Sequence, residues 1–386
     1  MNLSYSADEE RFRAELRAWL SANPPGPEPE RLDEWVAYGK AWQRRLWEAG
    51  WSGIAWPAEY GGRGASLIQQ IIFQEEMARA KAPLPINLAG LTMGGPVLIA
   101  HGTEAQKRDH LQRILAADEI WCQGFSEPNA GSDLAALRTR AVLDGDTFVV
   151  TGQKVWTSFA RYADWCMALV RTNPDAPKHR GITFLLIDMH SPGVTVRPLR
   201  QLSGDEDFNE VFFDDVRVPR ANVIGDIDAG WDIAITCLMH ERQTLTFSRQ
   251  LQSAVALDEM LASARARGTS RELLARQALA AAVVDAHAMR YTAYRNLTRA
   301  LRGEVPGPEG SIEKLFWSEM YQRQLETSLA LLGPHAQLLQ GSPHAVDEGR
   351  WPHLFLYSRG RTIAAGTSEV QRNIIAERVL RLPRGS

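Results

Sequence analysis

Two groups of residues in this sequence have types and spacings that suit chemistry. The first is the segment Gly124–Asp133, whose residues are mostly small, polar or turn-forming. Glycine and small side chains let a flat ligand approach the backbone closely, and exposed amides and hydroxyls suit a polar ring or a phosphate-bearing chain. Composition alone favours an Asx or Ser turn without a ligand, so any functional interpretation of this segment depends on its context.

The second group is a carboxylate within an apolar helical stripe. The stripe recurs at helical spacing and consists of Trp231, Ala234, Ile235, Leu238, Glu241, Arg242 and Leu245. A carboxylate in such a stripe is either paired with a cation or functional, and desolvation raises the pKa of a carboxyl toward the range that a general base requires. Glu241 is therefore a candidate proton acceptor. The alternative is a buried ion pair, although Glu241 and Arg242 do not face each other as helical neighbours.

The whole chain has the composition of an ordinary globular protein. Its 386 residues suffice for two or three packed units, and 45% are hydrophobic and 23% charged. The net charge of -3 argues against a nucleic-acid binder, which usually has a basic excess. Cysteines are few, with no CxxC motif: Cys122, Cys166 and Cys237. We therefore expect neither a disulfide framework nor a metal site.

The sequence also bears on location. Met1–Ser4 lead directly into a charged amphipathic stretch, so we expect no signal peptide and predict a cytoplasmic protein. The uncharged segment Ala82–Thr103 is long, but its prolines and glycines argue against a membrane span.

Residue patterning divides the chain into three regions: 1–119, 120–226 and 227–386. Amphipathic periodicity predicts helices in the first and third regions. They are Ala7–Leu20, Asp33–Ala49, Ser66–Ala80, Thr103–Ala117, Gly230–Ala262, Ser270–Leu301 and Ile312–Leu332. Short runs rich in β-branched and aromatic residues predict a small antiparallel β domain between them. The runs are Thr147–Thr151, Ala168–Arg171, Ile182–Ile187, Val194–Arg197 and Glu210–Phe213. The expected class is α+β.

Three segments stand in order along the chain: Gly124–Asp133, Gly152–Ser158 and Ala364–Arg372. In this order and spacing they resemble the acyl-CoA dehydrogenase family, and the resemblance extends over nearly the whole chain. It implies an N-terminal helical domain, a central antiparallel β domain and a C-terminal four-helix bundle, with FAD between the last two. It also implies α,β-desaturation of an acyl-CoA thioester, a step of β-oxidation in lipid metabolism.

The resemblance also implies roles for single residues. It assigns contacts with FAD to Gln123, Phe125, Ser126, Ser132, Trp156, Ser158, Thr367 and Glu369. It assigns contacts with the substrate to Ser132, Leu238, Arg242 and Gly366. Trp156 would pack against the isoalloxazine, and Ser158 would place a hydroxyl near flavin N5. The alternatives are a core tryptophan for Trp156 and, for Glu369, an acid stabilised at a helix N-terminus.

The position of the catalytic base departs from the commonest family pattern. Many members carry a glutamate directly before Gly-Thr-Ser, where this chain has Ala365. Isovaleryl-type and long-chain-type members instead carry a Glu-Arg pair some eleven residues beyond a Gly-aromatic start, which Glu241-Arg242 matches after Gly230. The resemblance therefore implies Glu241 as the base and the backbone N–H of Ala365 as a donor to the thioester oxygen. The small side chain of Ala365 suggests room for α-branched, bulky or ring-bearing acyl groups.

Two further departures concern the adenine end of FAD. Ala330–Ala336 stands where a glycine-rich turn is usual, and Ala264–Arg271 where an Arg-x-x-Phe-Gly segment is expected. The adenine is then held differently or by a partner chain. Two alternatives to a dehydrogenase stay open: a same-fold flavin monooxygenase, which would not need Glu241, and a non-catalytic subunit of a heteromeric dehydrogenase. The implied partners are an electron-transferring flavoprotein and a homo-oligomer, dimer or tetramer, or a related subunit.

Overall fold

The computed structural model describes residues 5–29, 31–304 and 307–383, with all their side chains except those of residues 240–248. The chain forms two compact units. Unit 1 comprises Met1–Arg200 and Glu206–Thr244, and unit 2 comprises Gln201–Asp205 and Leu245–Ser386.

Unit 1 begins with helices. They are α1 (Ala7–Ala22), α2 (Leu32–Glu48), α3 (Leu67–Arg79), α4 (Gly95–His101) and α5 (Glu104–Ala116). Three of them start at capping boxes. In each, the hydroxyl of the capping residue, Ser6, Ser66 or Thr103, accepts from the amide of the third helical residue, and the side chain of that third residue accepts from the amide of the capping residue. One turn of π-helix, Gly90–Gly94, precedes α4.

The sheet of unit 1 has eight strands. They are β1 (Trp121–Gly124), β2 (Arg140–Asp144), β3 (Thr147–Ser158), β4 (Trp165–Arg171), β5 (Ile182–Asp188), β6 (Val194–Leu199), β7 (Phe208–Pro219) and β8 (Val223–Ile224). Their order is β6-β7-β3-β2-β4-β5-β8, with β1 beside β4. The predicted antiparallel sheet is in fact mixed, since β1 and β4 run parallel and β2 meets β4 in one parallel pair. The reason is connectivity: β1 leads into a long loop and the β2–β3 hairpin rather than into a hairpin of its own.

Helices return after the sheet. They are α6 (Gly230–Ala266), α7 (Leu273–Leu301), α8 (Gly310–Leu332), α9 (Arg350–Ser358) and α10 (Ser368–Ile374). The predicted α+β class, with helices before and after a central sheet, is confirmed. Unit 2 has its own core around Leu325 and Trp351. None of the helices in the described chain is both long and apolar enough to cross a membrane.

The first turns of α6 belong to unit 1. Ile233, Ala234 and Cys237 are buried in the cluster that also contains Phe125 and Trp121. The predicted apolar stripe needs one correction, because Ile235 is 41% exposed. The buried face passes through positions 233, 234 and 237, and position 235 is turned away from its middle by the 100° step of the helix.

Candidate active site

The loop that follows β1 is anchored at its start. Phe125 is 4% exposed, and its ring meets Phe184 edge-on at 5.9 Å between centroids. Its side chain therefore belongs to the core, which leaves its backbone for any ligand contact. The carbonyl of Ser126 accepts from the amide of Val155 at 2.9 Å, which ties the loop to β3. Ser132, further along the loop, is exposed.

A buried ion pair lies directly beneath this loop. Lys154 of β3 is 0% exposed, and its Nζ donates to Glu127 Oε1 at 2.8 Å and to the carbonyl of Phe125 at 3.1 Å. The carboxylate of Glu127 also accepts from the amides of Arg138 at 2.7 Å and Thr139 at 2.8 Å. Glu127 thus joins the start of the loop, its end and β3 through a single carboxylate.

The electrostatics of the pair follow from its burial. Burial alone raises the pKa of Glu127, but the charge of Lys154 and the bonds from Lys154, Thr139 and Arg138 bring that pKa below its ordinary value. Burial also lowers the pKa of Lys154 in spite of the attraction of Glu127. Each charge thus favours the charged form of its partner, against the cost of burial.

The end of β3 carries Trp156 and Ser158 in an irregular conformation. Pairing between β3 and β7 shifts register between Lys154 and Thr157, as a β-bulge does. Trp156 has φ +60°, in the left-handed region, and its side chain is 60% exposed. Its ring meets Phe208 edge-on at 6.1 Å between centroids, with 84° between the ring planes. Trp156 is therefore not a core tryptophan, and Ser158 is exposed beside it.

Gln123 connects the end of β1 with the start of α6. Among the described residues its Nε2 donates to two sulfur atoms, to Met93 Sδ at 3.6 Å and to Cys237 Sγ at 3.9 Å. Cys237 is fully buried and Leu238 is half-buried against the same cluster. Position 241 lies one helical turn beyond these two residues on α6.

The side chains of Glu241 and Arg242 lie outside the described residues. The structure thus places the backbone of the candidate base on the helix that begins against Gln123 and the β1 loop.

In unit 2, a strained turn holds the residues before α10. Ala365 has φ +55° and Gly366 has φ +85°, both in the left-handed region. The side chain of Gln371, which is 2% exposed, donates to the carbonyls of Ala365 at 3.0 Å and Gly366 at 3.3 Å. Gln371 therefore fixes the peptide plane on either side of Gly366 and keeps both carbonyls directed toward α10.

The two remaining predicted contacts lie at the start of α10. Thr367 caps the helix, since its Oγ1 accepts from the amide of Val370 at 3.2 Å. Hydrogen bonds from its own backbone amide and from Thr367 hold the pKa of Glu369 below its ordinary value. Both residues line a cavity of about 470 Å³ within unit 2, together with Glu319, Gln322, Arg323 and Thr362. The local role of Glu369 matches the helix N-terminal alternative, while its contact with a cofactor stays a prediction.

Sequence reasoning missed three buried polar residues that position these segments: Glu127, Lys154 and Gln371. A signal existed for Lys154. Phe148 and Val150 of β3 are buried, so a strand period of two also puts position 154 on the buried face. A lysine there requires a buried acid, and Glu127 of the first motif is the residue that supplies it. No comparable periodicity marks Gln371, which follows a turn.

The unit 1 residues fit a flat aromatic cofactor. An exposed indole face, exposed hydroxyls and a loop of small residues lie along one strand end, and an aromatic face is a suitable platform for a large polarisable ring. A tryptophan held 60% exposed in a strained backbone conformation is costly unless a ligand covers it.

Comparison with known proteins places the whole chain. Three domain models of acyl-CoA dehydrogenases match, the N-terminal domain over residues 6–118, the middle domain over 122–216 and the C-terminal domain over 228–380. A protein named acyl-CoA dehydrogenase IpdE1, from Mycobacterium tuberculosis, is 40% identical over 98% of each chain.

Solved structures agree with these matches. The ChsE4-ChsE5 complex from Mycobacterium tuberculosis has a TM-score of 0.87 at 35% identity. A protein described as the Tcur3481-Tcur3483 steroid ACAD has a TM-score of 0.88 at 32% identity. Both alignments cover 100% of each chain. With the three segments, the fold and these relatives in agreement, the chain belongs to the acyl-CoA dehydrogenase family, whose members are flavoprotein oxidoreductases.

Proposed function

We propose that the protein uses FAD to desaturate the α,β bond of a ring-bearing acyl-CoA, with Glu241 as the base. The observation that carries this proposal is the start of α6, which packs against Gln123 through Cys237 one turn before position 241. We expect a carboxylate at that position to serve a ligand bound along the β1 loop, whereas position 365 offers only a methyl group. FAD would supply a hydride acceptor for the β carbon.

The proton step needs a base that is charged before it reacts. An α proton of a thioester is only weakly acidic, so the base must be held close and the carbonyl oxygen polarised as charge develops. We expect Glu241 to remove the proton. We expect the N–H of Ala365 to donate to the carbonyl oxygen, because the bonds from Gln371 fix the adjoining peptide.

The acyl group is inferred from Ala365 and from the relatives. A methyl group where many family members carry a glutamate side chain leaves volume beside the acyl chain. One solved relative is described as a steroid ACAD. We therefore propose fused-ring acyl groups of steroid origin as the substrate class, with electrons passing to an electron-transferring flavoprotein.

A thioester panel tests the substrate class. FAD-loaded protein is mixed anaerobically with octanoyl-CoA, isovaleryl-CoA and a steroid side-chain acyl-CoA, and loss of the flavin absorbance is followed. We expect the ring-bearing thioester to reduce the flavin at least about tenfold faster than octanoyl-CoA, since a well-filled apolar pocket distinguishes ligands by about 1–3 kcal/mol. Equal or faster reduction by octanoyl-CoA would show that ring-bearing acyl-CoA thioesters are not the preferred substrate class.

The same experiment separates the alternatives. A protein that stays colourless after incubation with FAD would be a non-catalytic subunit. A yellow protein that no thioester reduces would favour the monooxygenase.

An oligomeric partner is supported by the exposed face of α7. Leu274 is 86% exposed, Val284 66% and Tyr291 53%. With the exposed Ala281 and Ala288 these residues are spaced by seven, three, four and three residues, the spacings of a helix-packing seam. Both solved relatives described above are named as pairs of proteins. We propose that this face binds a second copy or a related subunit.

A charge on this face should disrupt the assembly. We expect Val284→Glu to shift the protein to a smaller species in size-exclusion chromatography with light scattering, because an unpaired carboxylate would be buried in the seam. Arg276→Glu, an exposed change away from the stripe on the same helix, is the control. An unchanged mass for Val284→Glu would exclude α7 as the interface.

A further inference from the structure

The segment from Trp156 to Phe159 has a conformation that its residues do not favour by themselves. Trp156 has φ +60° and Phe159 has φ +56°, and neither is glycine. The strand shifts its register with β7 between Lys154 and Thr157, a stretch that includes Trp156. Left-handed backbone is unfavourable for residues with a Cβ atom, so contacts from outside the segment must hold it.

Polar contacts with the backbone of this segment come from β7 and the residue before it, and the side chain of Asn209 makes one of them. Asn209 is 0% exposed and stands opposite Thr157 in the sheet. Its Nδ2 donates to the carbonyl of Thr157 at 3.0 Å and to the carbonyl of Asp207 at 3.3 Å. The amide of Phe159 donates to the same Asp207 carbonyl at 2.7 Å. One side-chain amide thus joins the middle of the strained segment to the backbone group that fixes its end.

The neighbouring residue extends the arrangement to the indole. Phe208 meets the ring of Trp156 edge-on at 6.1 Å, so Phe208 and Asn209 hold the side chain and the backbone of one segment. Two polar atoms here, Thr157 Oγ1 and Asn209 Oδ1, are buried with no hydrogen bond to any described residue. Buried polar atoms without partners are rare, and such unfavourable features persist where a conformation serves function.

We propose that Asn209 is a positioning residue, which sets the exposed face of Trp156 and the hydroxyl of Ser158 for the flavin. This inference rests on the proposed function. Without the Nδ2 donor, the carbonyl of Thr157 is buried and unpaired, and the bulge relaxes toward regular strand pairing. The indole then leaves its exposed position, and the site loses its alignment while the rest of the sheet is kept.

Replacement of Asn209 by aspartate tests this role with little change in shape. Asn209→Asp replaces the donor with an acceptor that faces the Thr157 carbonyl. Asn222→Asp is the matched control, because Asn222 Nδ2 donates to the carbonyl of Leu186 at 3.0 Å elsewhere in the same domain. Asn209→Ser, a milder change, serves if the aspartate variant does not fold.

Two measurements are made on each purified, FAD-treated protein. Hydrogen exchange by mass spectrometry should show roughly tenfold faster exchange around Phe159 in Asn209→Asp. In Asn222→Asp the exchange around Phe159 should stay as in the unsubstituted protein. Anaerobic flavin reduction by thioester should fall about tenfold or more in Asn209→Asp only, because small displacements at a reacting centre cost up to about a hundredfold in rate.

Unchanged exchange around Phe159 would overturn the inference, as would flavin reduction equal to that of the control variant. The proposed function fails separately, if the unsubstituted protein takes up no FAD or no thioester reduces its flavin. In that case the exchange comparison still decides whether Asn209 holds the segment.

Discussion

Glu241→Gln should abolish most of the flavin reduction by thioester while FAD binding persists. Glutamine keeps the size of the side chain but cannot accept the α proton, and a positioned base contributes about 10²–10⁴-fold to rate. Rapid-mixing spectroscopy under anaerobic conditions measures the change. The ratio of flavin absorbance to protein absorbance shows whether the cofactor is retained.

Asp232→Asn provides the control for this variant. It makes the same charge change on an exposed residue in the first turn of α6, and we expect it to leave the reduction rate within about twofold, as is usual for surface changes away from a site. Near-normal reduction in Glu241→Gln would remove Glu241 from the mechanism and leave the base unassigned.

Of the proposed variants, Lys154→Met should lower the free energy of unfolding most. It leaves the carboxylate of Glu127 buried at 8% exposure without its cation. Removal of one partner from a buried pair destabilises by about 3–5 kcal/mol. Urea unfolding followed by circular dichroism measures the free energy of unfolding. The yield of bound FAD should fall with it, because Glu127 ties down both ends of the β1 loop.

The double variant Lys154→Met, Glu127→Gln should recover much of this loss, since no uncompensated charge remains. Lys107→Met is the control at the surface. Lys107 pairs with Glu104 at 2.9 Å, and the glutamate is 85% exposed, so the change should cost at most about 1 kcal/mol. Equal stability of the Lys154 and Lys107 variants would show that the buried pair does not hold the loop.

The same pair fixes the direction of the pH dependence. The pKa of Glu127 is lower in the folded chain than its ordinary value. Its stabilising contribution is therefore present above the ordinary glutamate pKa and is lost as pH falls through the lower folded value. The lowered pKa of Lys154 acts in the same direction, because the cost of its buried charge is present at low pH and is lost as pH rises through that pKa. Both groups therefore make the folded chain more stable as pH rises.

The helices of the first region were largely predictable from local signals. Two predicted helices, Ser66–Ala80 and Thr103–Ala117, are observed as Leu67–Arg79 and Glu104–Ala116. The bounds are close because the capping residue and the apolar periodicity of each helix indicate the same start. The strand Thr147–Thr151 was predicted too short, since β3 continues to Ser158. Glycine has a low strand propensity, so the sequence predicts that the strand ends before Gly152. In the structure, pairing with β7, with two register shifts, extends the strand beyond Gly152.

The site was predictable in its chemistry and less so in its supports. Trp156 and Ser158 could be selected because an ordered set of motifs contains them. The left-handed backbone of Trp156 and the Asn209 contact arise from strand pairing between residues 52 positions apart, for which no local pattern exists. The turn at Ala365 is similar, since its carbonyl is held by Gln371 six residues later.

The most direct test of the central claim is a single-turnover balance between flavin and thioester. FAD-loaded protein is mixed anaerobically with one equivalent of a ring-bearing acyl-CoA, and the thioester is recovered for mass spectrometry. We predict that for each flavin bleached, one thioester is recovered that is lighter by two hydrogens and unsaturated between the α and β carbons. Recovery of intact thioester with the flavin still oxidised, across the panel of acyl groups, would contradict the account.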